Sequence, residues 1–236
     1  MNTASRASQH HPSEATLLAH ASGGLGAAHR LVVATHTMHC ADCHSKIRTA
    51  ERVGGLLLDG LVPTALQPDA LQLCLAQTEV AEAPSRGRRP ARPTVAESRR
   101  LPPRVGDVIL PQVLWGLRPG SLRWLAPGIR HATLLRDERG TLHFIRVHPN
   151  VALPQHTHRG LELTCVLEGA FHDGSGQYLV GDVGEVGDEE AEQHGIDQDH
   201  LVVADPPGDC VCIMATSGRL RFTGWMARLL QPIMPF

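Results

Sequence analysis

Apolar positions recur at helical spacing through the first eighty residues of the chain and at strand spacing from residue 108 onward. The run S-E-A-T-L-L-A-H-A-S-G-G opens at Ser13 with an N-capping residue, sets Leu17, Leu18 and Ala21 on one face and stops at two glycines. That pattern predicts a short helix. A second helix is predicted from Ala27 to about Met38, around Leu31, Val32 and Val33, and a third from Ala41 through Arg52. The run from Pro68 to about Thr78 carries Leu71, Leu73 and Leu75, and its period leaves helix and strand both open.

From Val108 the apolar residues fall into short β-type runs: HATLLRD, TLHFIRVH, LELTCVLEG, GQYLVGDVGEV, HLVVAD and DCVCIMAT. Turn residues such as D-E-R-G, D-G-S-G and D-P-P-G-D stand between them, which predicts a closed or double-sheet β architecture. Between Glu79 and Gly106 the composition turns to Pro, Arg, Ser and Ala, with Arg86, Arg88, Arg89, Arg92, Arg99, Arg100 and Arg104. Too little apolar surface is available there to bury, so the segment reads as an extended tether.

Composition narrows the classes. A chain of 236 residues with 42% hydrophobic residues suits two small domains. A net charge of -2 supplies no general attraction to nucleic acid or to anionic lipid. No stretch approaches the roughly 20 apolar residues that span a bilayer, and the N-terminus lacks an apolar signal core, so a cytoplasmic protein is expected. In such a chain a CxxC points to metal or redox chemistry before it points to a disulfide.

That CxxC lies in HTMHCADCH, where His36 stands four residues before Cys40 and Cys43 follows three residues later. On helical spacing these donors converge, and a structural zinc site needs one more ligand in tetrahedral array. His10 and His11, just ahead of the first helix, are both candidates. His39 and His44 are poorer ones, since each adjoins a cysteine ligand along the chain. The stretches HPSEATLLAHASG from His11 and LVVATHTMHCADC from Leu31 resemble the zinc-binding domain of the ChrR-type anti-sigma factors. In that family one early histidine and an H-x3-C-x2-C motif hold the metal. The resemblance implies the set His11, His36, Cys40 and Cys43.

In the β region, PQHTHRGLELTCVLEG contains H-x-H-x3-E at His156, His158 and Glu162, with Gly169 seven residues after the glutamate. On one strand the three side chains share a face, and two imidazoles with a carboxylate suit a divalent ion. The pattern resembles the first motif of the cupin β-barrels, where a histidine from a later strand completes the site. His194, thirteen residues after Gly181, has the spacing of that second motif and is preferred, while His200 has the advantage of leading into a strand. The P-x-G of the motif is missing, and an acidic tract from Asp182 to Asp199 reads as a solvated loop. Cys210 and Cys212 fall on one side of a strand and read as core thiols, with a redox role implied only by a similar pair in the ChrR-like sensing domain.

The expected architecture is therefore multidomain, α and β. Residues 1–78 form a small all-α zinc-binding anti-sigma domain, 79–106 an Arg/Pro-rich linker, and 107–236 a cupin β-barrel (double-stranded β-helix). The resemblance implies an anti-sigma factor that sequesters an ECF-type sigma factor and releases it when the cupin senses an oxidative signal such as singlet oxygen or organic peroxide. It implies no enzymatic activity and no direct contact with nucleic acid or membrane. Expected cofactors are zinc in the helical domain and a second divalent metal in the cupin, zinc first, then iron, manganese or nickel. Two other readings compete: a metal-dependent cupin dioxygenase or isomerase with an accessory zinc module, and a DNA-binding zinc module. The second is weakened because residues 1–80 carry no concentrated basic patch.

Overall fold

The computed structural model describes residues 8–82, 102–153, 156–157, 160–187, 203–217 and 221–222. The chain divides into two compact units, one made of Met1–Gly54 with Pro103–Phe236 and the other of Gly55–Pro102.

Four helices lead the chain: α1 (Glu14–Ala21), α2 (Ala27–Thr37), α3 (Ala41–Asp59) and α4 (Ala70–Glu82). Ser13 caps α1 as its position predicts, its hydroxyl accepting from the Thr16 N–H. The third helix passes Arg52 and runs through Gly54 and Gly55 to Asp59. Two glycines lower helix propensity by about 1 kcal/mol each, but the leucines that follow are strong helix formers and carry the ladder on. The ambiguous run after Pro68 is helical, and α4 continues to Glu82.

The strands are β1 (Arg104–Val105), β2 (Val108–Ile109), β3 (Arg123–Ala126), β4 (Ile129–Asp137), β5 (Gly140–Val147), β6 (His156–Thr157), β7 (Glu162–Glu168), β8 (Ala170–Asp173), β9 (Gly176–Leu179), β10 (Val183–Val186), β11 (Val203–Ala204), β12 (Cys210–Thr216) and β13 (Arg221–Phe222). A six-stranded antiparallel sheet in the order β10-β7-β12-β5-β4-β3 faces a three-stranded sheet β11-β8-β9, and β13 pairs with β6. This is the double-stranded β-helix expected of a cupin. Gly169 turns the chain from β7 to β8 at φ 71°, and any side chain there would collide with the Asp209 carbonyl.

Period-two alternation gives the large sheet two buried faces. Leu142 and Phe144 of β5, Leu163 and Cys165 of β7, and Ile213 and Ala215 of β12 pack with Leu17 of α1 and with Val32 and Val33 of α2. The intervening residues, Ile145, Val147, Val166, Cys212 and Met214 among them, turn inward to meet Phe171 and Tyr178 of the smaller sheet. Val32 and Val33 are fully buried, and each contributes about 1.5–3 kcal/mol by leaving water. α1 and α2 thus seat on the outside of the barrel as a second layer.

Candidate metal centre

His11 lies on the segment that enters α1, His36 in the last turn of α2, and Cys40 and Cys43 at the start of α3. One donor atom of each lies within 4.8 Å of the others, a group that can hold a metal ion. His11 Nδ1 stands 3.4 Å from His36 Nε2 and 3.5 Å from the sulfur atoms of both Cys40 and Cys43. His36, Cys40 and Cys43 are buried, while His11 is exposed at the mouth.

The two histidine rings use opposite nitrogens. His36 donates from Nδ1 to the Gly181 carbonyl at 2.6 Å, leaving Nε2 with its lone pair turned to the cluster. Burial lowers the His36 pKa, which keeps the ring neutral as ligation requires. Burial, together with the hydrogen bond and charge of Cys40, pushes the Cys43 thiol up to about 12, so a bound metal must displace its proton. Two sulfurs and two imidazoles match a four-coordinate tetrahedral site. His10, the other early candidate, stacks instead on Tyr178 at 4.0 Å.

In the barrel, Glu162 is buried at the start of β7, opposite Val186 of β10. It lines an internal cavity of about 80 Å³, mainly apolar, with Thr164, Phe171, Met214 and the cysteines Cys210 and Cys212. The Cys210 and Cys212 sulfurs are 3.5 Å apart on one side of β12 as the alternation predicts. The hydrogen bond with Cys210, and burial, hold the Cys212 thiol well above its usual range. His156 falls on β6, where its backbone pairs with Phe222, and its side chain lies outside the described residues, as do His158, His194 and His200.

Two sets of residues escape the sequence reading. Asp182 and Glu185, assigned to a solvated acidic loop, face the N-terminal segment instead. Asp182 is buried and accepts from the Gln9, His10 and Leu179 N–H groups, and Glu185 accepts from Ser13 and Thr16. The remainder of that tract, 188–199, lies outside the described residues. The second set is His131 and His143, buried on the inner face of β4 and β5 with 2.9 Å between Nε2 and Nδ1. The alternation in TLHFIRVH, which puts His143 on the side of Ile145 and Val147, is the signal that finds it.

A helical module with a two-histidine, two-cysteine cluster, seated on a cupin barrel, is the build of a metal-binding regulatory protein. The comparisons give that class a family. The chain is 36% identical over 226 residues to the anti-sigma-E factor ChrR of Cereibacter sphaeroides, spanning 95% of this chain and 97% of the relative. It also resembles the crystal structure of Rhodobacter sphaeroides SigE in complex with the anti-sigma ChrR, with a TM-score of 0.64, 32% identity, and 88% and 98% of the two chains covered. No family model matches the chain. The chain belongs to the ChrR family of anti-sigma factors, regulators rather than cupin enzymes.

Proposed function

We propose that this anti-sigma factor sequesters an ECF-type sigma factor in the cytoplasm, that zinc held by His11, His36, Cys40 and Cys43 shapes its partner-binding helices, and that the barrel governs release. In this reading residues 1–78 bind the partner, 79–106 connect, and 107–236 sense. The observation that carries it is a run of large apolar side chains left in solvent along the end of α3, the following turn and α4. Leu56, Leu57, Leu58, Leu61, Val62, Leu66, Leu71, Leu73 and Leu75 are all exposed, Val62 to 92%. Such a concentration marks a protein-binding surface. The relative seen with SigE supports the class of partner.

Zinc is the ion that fits two thiolates and two neutral imidazoles best. For the barrel, Glu162 with His156, His158 and His194 is the proposed second metal set, and oxidative chemistry such as singlet oxygen or organic peroxide is the proposed trigger. Oxidising a ligand or a thiol changes coordination, and with it the stability of whatever the ion holds.

Co-expression of the full chain with each ECF-type sigma factor of its source tests the reading. One of them co-purifies with the wild-type chain. The double substitution Leu57→Asp, Leu61→Asp weakens that complex about 100-fold or more, since each buried leucine contributes about 1.5–3 kcal/mol. Capture of no sigma factor by the wild-type chain, or full affinity in the double variant, overturns it.

A further inference from the structure

Among the described residues, the barrel bonds to the N-terminal cluster and its flanks through the turn after β9 and the first residues of β10. Gly181 offers its carbonyl to His36 Nδ1 at 2.6 Å. Asp182 Oδ1 accepts from the backbone N–H of Gln9 at 2.8 Å and of His10 at 3.3 Å, and the Val183 N–H returns a bond of 3.1 Å to the His10 carbonyl. Glu185 accepts from the Ser13 N–H at 2.7 Å and from the hydroxyls of Ser13 and Thr16 at 2.8 Å each. His11 sits between these two anchor points, so its backbone is pinned on both sides by barrel carboxylates. His36 is fixed in ring orientation and in tautomer by a barrel carbonyl. Among the described residues no barrel group bonds to either cysteine. The helical segment supplies the four donor atoms, but the barrel aims the His36 imidazole and fixes the backbone on either side of His11.

We propose that Gly181, Asp182 and Glu185 are positioning groups of the N-terminal metal centre, so that its zinc affinity belongs to the helices and the barrel jointly. This rests on the zinc reading above. Partners that orient a ligating imidazole are worth about 10–100-fold in metal affinity. The same strand connects the cluster to the barrel interior, for Gly184 and Val186 line the cavity beside Glu162 while Glu185 holds the cap of α1. A shift of β10 therefore moves His11. Gly181 leaves no slack: its φ is +90°, and a Cβ there would lie 2.7 Å from His39 Cβ, three residues beyond His36.

The test uses the full chain, stripped of metal and reloaded with Co²⁺, the part of whose thiolate charge-transfer band that is lost in Cys43→Ser reports on the N-terminal centre. Zn²⁺ affinity at the same centre is then read by displacement of that band. Glu185→Ala is expected to weaken Zn²⁺ binding about tenfold and to shift the Co²⁺ band, with Glu185→Gln falling between it and wild type. Gly181→Ala, a wedge under His39 and a strained backbone, is expected to do the same by a separate route. Glu168→Ala, at the far end of β7, leaves both readings at the wild-type value. Wild-type affinity and an unshifted band in Glu185→Ala overturn the proposal, even where the variant lowers thermal stability. Absence of a thiolate band in the wild-type chain overturns the zinc reading itself.

Discussion

Lowering the pH from 7.5 to 5.0 should weaken the barrel through His131 and His143, and the loss can be worked out. Both rings are almost fully buried, with 3% and 1% exposure. Their contact joins β4 to β5, and His143 Nε2 lies 3.4 Å from the Thr216 hydroxyl of β12. Burial lowers the His143 pKa to about 3, helped by the neighbouring His131, and lowers that of His131 to about 4, helped by Arg136. The folded state thus binds both rings neutral, while the unfolded chain protonates them below about 6.5. The unfolded state then takes up more protons, so stability falls as pH falls, from about 6.5 down to the folded values of about 4 and 3. At pH 5.0 each ring lies 1.5 units below its unfolded value, worth about 2 kcal/mol, so the pair accounts for about 4 kcal/mol. The assay is urea unfolding of the metal-stripped chain at pH 7.5 and 5.0, followed by tryptophan fluorescence. No tryptophan precedes residue 103, and Trp115 and Trp124, the two among the described residues, report on the barrel part. His143→Asn should reduce the pH-dependent loss by about 2 kcal/mol relative to wild type, other titrating groups cancelling in the difference. A wild-type slope in the variant, within about 0.5 kcal/mol, would refute the argument that burial holds this ring neutral.

Two further outcomes are expected. Cys43→Ser removes a buried thiolate donor and should abolish zinc retention at the N-terminal centre, together with partner capture; an unchanged zinc stoichiometry by atomic absorption would remove that site from the account. Glu162→Ala should lose one metal equivalent from the barrel and impair release while leaving sigma binding intact. Loss of sigma binding in this variant would contradict the division of tasks between helices and barrel.

The N-terminal helices and the barrel strands were legible because their signals are local. The Ser13 cap, the spacing of Leu17, Val32 and Val33, and the alternation in TLHFIRVH each act within a turn or a strand. The grouping of the H-x3-C-x2-C side chains was legible for the same reason, since helix geometry converges them. The expected end of the third helix at Arg52 falls short because the leucines beyond Gly54 and Gly55 prolong α3 to Asp59. Asp182 and Glu185 looked like solvated charge because their partners lie some 170 positions away, and no local pattern announces a carboxylate that bonds a distant backbone. The choice of His11 over His10 was of this kind as well: spacing left both open, and the stacking of His10 on Tyr178 sends it elsewhere.

The leucines at the end of α3 and along α4 have a consequence for the life of the protein in a cell. A chain with Val62 92% and Leu66 83% exposed carries a sticky surface whenever its partner is absent. Surfaces of that kind invite self-association and recognition by chaperones and proteases. Free copies are then expected to turn over faster than paired ones, which a pulse-chase with and without the partner checks. The side chains proposed to confer affinity would then also set how long an unpaired copy survives.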